Sequence, residues 1–518
     1  MSLSVSMLGT SYCFDDILIE PLYSNIQSRS QVSLETNIAT NNRSLILKTP
    51  LISSPMDTVT ETQMAIKMAL AGGLGIIHRF MPIEDQVAQV IKVKRFLQYI
   101  IREPYTILAT ASLQDVEELI ARYGVSTFCV ISMDQKFKGI LTRRDIEAMR
   151  YASSSQNQTN NSYEIIVADY MTRYDDSIFE VIYSTPVELD SQADLILSKA
   201  KTRMINHRIE KIPILEQTTH RLLGLITLKN IRHWENNKSK ACIDSSGALC
   251  VGAAVGITGD SMSRLDALVA AHADLICVDV ANGYNEYTAQ AIQQIRSKYP
   301  SLVIMAGNVC NAAGFAFLAD PALDVDCIRV GIGNGSICTT RLETGIGKGQ
   351  FSATLECFQA KLENSTLQAN IVCDGGSLGK TGNKVKALAA GSVAVMLGRT
   401  LASTEESPGQ VIYRNGKRFK YIRGMASTMA SLSNQEKTKK FKADISSMTA
   451  EGVDGEQELT GSVVDLLAQI GGGLRSGLSY LGAHTIHQLH EKAQKQEIRF
   501  NLVSSIGMGE TGIRVKTY

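Results

Sequence analysis

The 518-residue sequence has almost no net charge and no long apolar run, and both absences exclude classes of protein. Lysine and arginine number 52 against 51 acidic residues, so bulk electrostatics attracts neither nucleic acid nor an anionic membrane. No stretch reaches the ~18 apolar residues of a membrane span, and the first residues lack the basic start and apolar core of a signal peptide. We therefore expect a cytoplasmic protein without a membrane or nucleic-acid partner.

The ten cysteines lack the spacing of a disulfide framework. None belongs to a CxxC pair, and most stand in apolar stretches such as Ile276-Cys277-Val278. This usage fits a reducing compartment, where a thiol used for chemistry stays free.

Short apolar runs that end in Gly or Asp and precede helical periodicity recur in two blocks. In the first, residues 50–54 and 74–77 read as strands, with a helix over 61–70 capped near Thr60. In the second, the strands are 249–254, 275–280, 302–305, 327–330, 370–373 and 393–397. This is the pattern of β-α units, and eight strands close a barrel. We predict an α/β TIM (β/α)8 barrel in two parts, residues 1–101 and 236–518.

The segment between the blocks, residues 102–235, contains two weakly similar units. Each ends in a strand and a short polar motif, GILTRRD at 139–145 and GLITLKN at 224–230. Self-similarity at this distance indicates a duplicated module inserted into the barrel. The polar stretch SSSQNQTNNS, residues 153–162, is typical of a linker between the two units.

Residues 331–341, GIGNGSICTTR, follow a predicted barrel strand, where the catalytic loops of barrels lie. Three glycines at alternate positions allow close backbone approach to a ligand or ion. Cys338 at the end of this loop can become a nucleophile, with neighbouring hydroxyls to move protons. Spacing alone is also compatible with a glycine-rich turn that holds a buried cysteine.

The run GIGNGSICTTR resembles the active-site loop of the IMP dehydrogenase and GMP reductase family. Other stretches agree in order and spacing, namely FDDILIEP, SSPMDTVTE at 53–61, GGLGIIHR at 72–79, AGNV at 306–309, DGG at 374–376 and RGMAS at 423–427. The similarity covers essentially the whole chain, and the inserted pair resembles a tandem CBS (Bateman) domain. It implies an oxidoreductase of purine metabolism that assembles as a tetramer or octamer.

The resemblance implies that Cys338 adds to the purine C2 of a bound nucleoside monophosphate. Nine positions match the nucleotide site of the family, namely Ser54, Met56, Ser336, Asp374, Gly376, Gly398, Arg399, Gly424 and Met425. Among them, Ser336 and the glycines match contacts to the phosphate, Asp374 matches a contact to the ribose, and Met425 matches a contact to the purine. Two positions depart from the pattern. Arg399 stands where a small residue is usual, and Ile422 stands where a phosphate-binding tyrosine is expected. Arg399 either replaces the lost contact or is a surface arginine.

The same resemblance implies a cofactor site and a cation site. Asp279, Asn282, Gly283 and Asn308 match positions that bind the nicotinamide cofactor in the family. Gly333, Gly335 and Cys338 match positions whose carbonyl groups bind a monovalent cation such as K+, and Glu510 of a neighbouring subunit matches the residue that completes this site. In the CBS pair, Asp145 and Asn230 match positions that hold the ribose of a regulatory purine nucleotide.

Both branches of the family form a covalent adduct at Cys338, and they differ in what happens next. A dehydrogenase hydrolyses the adduct with an arginine-tyrosine-phenylalanine run that stands ten residues before a Glu or Gln on a mobile flap. Here the flap is near 430–460, the acidic residue is Glu451, and Phe441 follows Lys439 and Lys440. The water-activating pair is therefore replaced.

A reductase instead expels ammonia and needs an acid, a role that Thr340 and Glu451 match. The run DVANGY at 279–284 also resembles the reductases, whereas SSPMDTVTE and a CBS insert are commoner among dehydrogenases. We predict a GMP reductase that converts GMP to IMP and ammonia with NADPH. The alternatives are an IMP dehydrogenase that oxidises IMP to XMP with NAD, and a catalytically inactive nucleotide sensor.

Overall fold

The structure is a computed structural model that describes residues 9–97, 100–102, 104–156, 165–174, 180–191, 193–427, 430, 450–504 and 507. The chain divides into two compact units. The first comprises Met1–Phe96 and Lys240–Tyr518, and the second comprises Leu97–Ser239.

A closed barrel of eight parallel strands forms the centre of the first unit. The strands are β1 (Leu51–Ser53), β2 (Leu74–Ile77), β3 (Val251–Val255), β4 (Leu275–Asp279), β5 (Val303–Val309), β6 (Cys327–Val330), β7 (Asn370–Asp374) and β8 (Ala394–Leu397). Each strand pairs with the next, β8 pairs with β1, and β2 pairs with β3 although the second unit separates them in sequence. The predicted barrel is confirmed.

Helices follow the strands in alternation. They are α1 (Thr62–Leu70), α2 (Ile83–Phe96), α3 (Ser261–Ala270), α4 (Glu286–Lys298), α5 (Ala312–Leu318), α6 (Gln350–Glu363), α7 (Thr381–Ala389) and α8 (Val463–Tyr480). Shorter or later helices are Thr340–Thr344, Arg399–Ala402 and Ile486–Gln494. Among the described residues, no helix combines the length and apolar character needed to cross a bilayer.

Burial explains why these strands are almost purely apolar. Every residue of β3 and β6 is buried, as expected for parallel strands covered on both faces. The polar residues of the barrel strands concentrate at the carboxyl ends, with Asp279 ending β4 and Asp374 ending β7. The barrel therefore presents its polar groups at the face where catalytic loops lie.

In the described residues of the first unit, three small antiparallel sheets accompany the barrel. Ile17–Ile19 pairs with Phe500–Leu502, Thr36–Asn37 pairs with Ile46–Leu47, and Lys417–Arg423 lies between Val411–Arg414 and Asp454–Glu458. The strand Asp454–Glu458 belongs to the predicted flap region and brings the preceding residues, 450–453, beside the loop that follows β6.

The second unit contains two four-stranded sheets, consistent with a duplicated module. One consists of Thr172–Arg173, Phe137–Leu141, Phe128–Ile131 and Thr106–Leu108, and the other of Ile182–Ser184, Lys211–Glu216, Leu222–Thr227 and Ile100–Ile101. Its helices are Leu113–Tyr123, Arg143–Gln156, Val167–Tyr170, Pro186–Ser191, Ala193–His207 and Leu228–Asn237.

Two sequence-based boundaries in this unit require correction. Because Ile100–Ile101 pairs with Leu222–Thr227, the unit begins before residue 102. The predicted linker over 153–162 is wrong at its start, since the helix Arg143–Gln156 continues through the serines. The Ser154 hydroxyl donates to the Tyr151 carbonyl at 2.8 Å, which lets a poor helix former take part in the last turn.

Candidate active site

The loop after β6 carries Cys338 and is held against the barrel by close backbone packing. The Cys338 amide donates to the Gly335 carbonyl at 3.1 Å. Gly331 has φ of +147°, and a Cβ there would lie 2.1 Å from the Asp374 carbonyl oxygen. Only glycine fits at position 331, so the first glycine of the run lets the loop leave the strand beside Asp374.

Gln350, which sequence reasoning missed, holds the loop after β6 by hydrogen bonds from the start of α6. Its side chain is buried at the start of α6, and its Nε2 donates to the Val330 carbonyl at 2.6 Å. Its Oε1 accepts a hydrogen bond from the side-chain Nδ2 of Asn334. The sequence offers little signal for this role, because Gln350 opens a helix of mixed polar and apolar residues and its partners lie in other segments.

Cys338, Thr340 and Glu451 are arranged in series. The Cys338 Sγ lies 3.2 Å from the Thr340 Oγ1, and the Thr340 hydroxyl donates to the Glu451 Oε2 at 2.8 Å. Because a hydroxyl carries one proton, the thiol is the donor to Thr340. The three groups thus form a continuous chain of hydrogen bonds from the thiol to the carboxylate.

Backbone hydrogen bonds hold Glu451 in this position. Cys338 and Gly452 form an antiparallel bridge, and the Val453 amide donates to the Ile337 carbonyl at 3.0 Å. The Thr339 amide donates to the Glu451 carbonyl at 2.9 Å. The carboxylate is thus positioned by the main chain on both sides of it.

Four of the predicted nucleotide contacts lie around the ends of β1 and β8. The Ser54 amide donates to the Leu397 carbonyl at 3.0 Å, and a Cβ on Gly398 would lie 3.3 Å from the Met56 sulfur. The Met425 sulfur is 3.3 Å from the amide nitrogen of Asp57. The structure therefore brings Ser54, Met56, Gly398 and Met425 together, although Ser54 and Met425 are 371 positions apart in the sequence.

Two further predicted glycines contact the Cys338 loop. The Gly376 amide donates to the Asn334 carbonyl at 3.0 Å. A Cβ on Gly424 would lie 2.9 Å from the Ile337 carbonyl oxygen. Both positions need the close approach that glycine permits, and both lie beside the loop that carries Ser336.

The positions that depart from the family pattern lie in different surroundings. Arg399 is exposed, and its Nε donates to the Gln457 Oε1 at 3.2 Å. Ser336, which matches the family pattern, is also exposed, in the loop after β6. Ile422 is buried in an apolar cluster with Leu397 and Leu401. Position 422 therefore contributes to packing, which an isoleucine serves without a hydroxyl.

Asp374 and Asp279 share one arginine. Arg329 on β6 donates through Nη2 to the Asp374 Oδ2 at 2.8 Å and through Nη1 to the Asp279 Oδ1 at 2.6 Å. Burial by itself lowers the pKa of Arg329, but the two carboxylates raise that pKa well above its ordinary value, so the guanidinium stays charged. Sequence reasoning missed Arg329, although a charge inside the buried run CIRV was a signal.

The predicted cofactor residues gather next to this pair. The Asn308 Nδ2 donates to the Asp374 Oδ2 at 3.0 Å, and the Gly283 amide donates to the Asn308 carbonyl at 2.7 Å. Asn282 lies on the exposed turn, where its Oδ1 accepts from the Tyr284 amide at 3.1 Å. The Asn308 Oδ1 is buried and has no hydrogen-bond partner among the described residues.

This geometry agrees with what comparison with known proteins finds. The sequence profile of the IMP dehydrogenase / GMP reductase domain matches residues 11–513. The chain belongs to this family. It is accordingly an oxidoreductase, and the family uses a nicotinamide cofactor with IMP or GMP as substrate.

Relatives come from both branches of the family. The chain is 40% identical over 484 residues to inosine-5'-monophosphate dehydrogenase of Nitrosopumilus maritimus, covering 93% of this chain and 94% of the relative. It is 40% identical over 486 residues to the enzyme of that name from Bacillus subtilis, covering 93% and 92%. These names, taken alone, would favour the dehydrogenase branch.

Solved structures favour the other branch. A cysteine-to-alanine variant of GMP reductase from Trypanosoma brucei in complex with guanosine 5'-monophosphate superposes with a TM-score of 0.83, 33% identity and 98% coverage of both chains. The complex of GMP reductase from Trypanosoma brucei with guanosine 5'-triphosphate gives a TM-score of 0.73 and 30% identity, covering 96% of this chain and 99% of that one. The comparisons thus establish the family and do not decide the branch.

Some predicted site residues of this family member lie outside the described part of the chain. They are Lys439, Lys440 and Phe441 of the flap and Glu510 of the cation site. In the described ranges no cluster of His, Cys, Asp and Glu could hold a metal ion. The predicted cation ligands Gly333, Gly335 and Cys338 are carbonyl groups, a different class of ligand, and share one loop.

In the second unit, each predicted ribose-binding residue faces a threonine. The Asp145 Oδ2 accepts from both the amide and the hydroxyl of Thr142 at 2.7 Å. The Asn230 Oδ1 accepts from the Thr227 hydroxyl at 3.0 Å. The two modules therefore use their matching residues in the same way, at the start of a helix that follows a strand.

Proposed function

We propose that the protein is a GMP reductase that converts GMP to IMP and ammonia with NADPH through a covalent adduct at Cys338. The observation that carries this proposal is the series Cys338, Thr340 and Glu451. Loss of ammonia requires an acid at the leaving amine, and Glu451 linked through Thr340 to the thiol can supply it.

The first half-reaction balances with these three residues. The thiol proton passes through Thr340 to Glu451, and Sγ forms a bond to C2 of the purine. The C2–N bond breaks, and the 2-amino group takes the proton from Glu451 and leaves as ammonia. Cys338 then holds the purine as a thioimidate with no water consumed.

In the second half-reaction, a nicotinamide cofactor held by Asp279, Asn282, Gly283 and Asn308 would supply the hydride that C2 receives. The C–S bond then breaks, IMP is released, and the Cys338 thiolate is reprotonated from solvent. The loop backbone keeps Sγ in place for both steps, because the hydrogen bonds of Cys338 and Val453 do not involve the thiol.

Polar groups at the carboxyl ends of β4, β5 and β7 fit the two ligands. The buried Asn308 Oδ1 is an acceptor without a described partner, and Asp279 beside it is suited to ribose hydroxyls. We assign the cofactor to Asp279, Asn282, Gly283 and Asn308. The choice of NADPH over NADH follows from the reductase proposal alone.

The nucleotide assignment combines side chains with backbone groups. Asp374 takes the ribose, Met56 and Met425 contact the purine, and the phosphate is bound by Ser336 and by the amides near Gly376, Gly398 and Gly424. Arg399 is the charged candidate for the phosphate site. A monovalent cation such as K+ would be held by the carbonyl groups of Gly333, Gly335 and Cys338 with Glu510 of a neighbouring subunit.

We assign the second unit to a tandem CBS domain that binds purine nucleotides at Asp145 and Asn230 and regulates the barrel. Its two similar sheets and the matched threonine contacts support a duplicated module. The resemblance to the family implies a tetramer or octamer in the cytoplasm.

The second candidate function is IMP dehydrogenase, favoured by the names of relatives with 40% identity. A direct assay separates the two. Purified protein is mixed with GMP and NADPH, and separately with IMP and NAD, while the absorbance of the reduced nicotinamide is followed. We expect turnover in the first mixture. Turnover only in the second would assign a dehydrogenase, and turnover in neither would indicate a nucleotide sensor.

The lysine pair that precedes Phe441 provides an independent test. In a reductase no water is activated, so the double change Lys439→Ala and Lys440→Ala should leave the rate of GMP reduction within roughly tenfold. In a dehydrogenase that uses a lysine base, the same change should give one burst of NADH and then stall at the adduct. Rapid-mixing kinetics with both substrate pairs distinguishes these opposite results.

A further inference from the structure

Arg329 on β6 joins Asp374, predicted to bind the ribose of the nucleotide, to Asp279, predicted to bind the cofactor. It is 7% exposed, whereas Asp279 and Asp374 are 20% and 17% exposed. Its two terminal nitrogens go to different carboxylates, at 2.6 Å to Asp279 and 2.8 Å to Asp374. A single buried charge is therefore divided between two groups that face the mouth of the barrel.

Strand register explains how one arginine reaches both partners. Asp279 on β4 is level with Gly307 on β5, and Gly307 is level with Arg329 on β6. A Cβ on Gly307 would lie 2.7 Å from the Arg329 Cβ. Without a side chain at position 307, the guanidinium extends past β5 to Asp279 while keeping Asp374 on the adjacent β7.

Each carboxylate keeps one oxygen for a ligand. Arg329 binds Oδ1 of Asp279 and Oδ2 of Asp374. Within the described ranges, no hydrogen bond reaches the other oxygen of either aspartate. A ribose hydroxyl that donates to either free oxygen orients that carboxylate and, through the shared guanidinium, the carboxylate of the other site.

We propose that Arg329 is a positioning residue that couples nucleotide binding at Asp374 to cofactor binding at Asp279. The proposal rests on the proposed assignment of these aspartates to the two riboses. We expect each ligand to increase the affinity for the other. The first ligand to bind orders Arg329, Asp279 and Asp374, so the second ligand binds to side chains that are already ordered. The coupling is reciprocal by thermodynamic necessity.

Equilibrium binding in the Cys338→Ala background tests the coupling without turnover. The dissociation constant of NADPH is measured with and without saturating GMP, and that of GMP with and without NADPH. We expect GMP to tighten NADPH binding about tenfold, a typical coupling between sites. Adding Arg329→Lys should reduce this increase in NADPH affinity to below about threefold. A lysine ammonium keeps the charge but cannot donate to two carboxylates with the planar geometry of a guanidinium.

Arg296→Lys is the matched control. Arg296 is also shared between two aspartates, Asp324 and Asp326, at 3.2 Å each, but Asp326 precedes β6 and so lies at the amino end of the barrel. This variant should keep the coupling factor even if it melts at a lower temperature. If Arg296→Lys lost as much coupling as Arg329→Lys, the proposal would be overturned, because a general loss of barrel stability would then explain both results.

A second variant covers the case in which Arg329→Lys does not fold. Asp279→Ala leaves Arg329 wholly to Asp374 and should change the affinity for GMP alone by at least about threefold, although Asp279 is assigned to the cofactor and not to the nucleotide. Unchanged GMP affinity would contradict the coupling. Repeating the measurements with IMP and NAD separates the two proposals, since a dehydrogenase would show the same dependence on Arg329 with that pair.

Discussion

Cys338→Ala leaves the protein with less than about one per cent of its turnover and with nucleotide affinity nearly intact. In the proposed mechanism the thiol forms the only covalent bond to the purine, and a methyl group cannot replace a nucleophile. The affinity should persist because the ribose and phosphate contacts are assigned to Asp374 and the glycine backbone rather than to the thiol. Steady-state assays and calorimetric titration with GMP measure the two quantities.

Cys310→Ala is the matched control for this prediction. Cys310 follows β5 on the same face of the barrel, is partly buried, and has a pKa raised by burial. A raised pKa disfavours the thiolate, so Cys310 is a poor nucleophile. Its removal should change turnover by less than about twofold. Activity above about one per cent in Cys338→Ala would remove Cys338 from the mechanism.

The barrel was predictable because its strands carry the signal in their own sequences. Most residues on both faces of the strands are buried, so 249–254 and 393–397 read as continuous apolar runs. The boundaries were less accurate where polar residues extend a strand, as in β5, which continues through Asn308 to Val309. The Asn308 Nδ2 donates to the Gly331 carbonyl after β6 and to Asp374 on β7, contacts that no local sequence pattern reports.

The site was predictable only where the family motifs cover it. The motifs located Cys338, Thr340 and Glu451, which the structure brings into hydrogen-bond distance across 111 positions of sequence. They did not reveal Arg329 or Gln350, whose roles depend on partners in other strands. Composition and periodicity describe one element at a time, whereas the functions of these two residues arise from barrel register and loop packing.

Glu451→Gln should slow ammonia release by roughly 10²- to 10⁴-fold, the usual effect of removing a general acid. The amide keeps the shape of the carboxylate and can still bond to Thr340, but it neither accepts the thiol proton nor delivers it to the leaving amine. The backbone hydrogen bonds of residue 451 do not depend on its side chain, so the variant should fold normally. Single-turnover measurements of ammonia release isolate this step.

The relay through Thr340 makes a stricter prediction. Thr340→Val removes the hydroxyl that connects Sγ to the carboxylate, at 3.2 Å on one side and 2.8 Å on the other. If the two residues act as one path, the double variant Thr340→Val with Glu451→Gln should be no slower than the slower single variant, because a path broken once cannot be broken again.

Glu456→Gln is the control for these variants. It removes a carboxylate paired with Arg414 within the three-stranded sheet beside the site, and it should leave ammonia release unchanged. Effects of Thr340→Val and Glu451→Gln that multiply would show that each acts separately, and an unchanged chemical step in Glu451→Gln would reduce Glu451 to a structural residue of the flap.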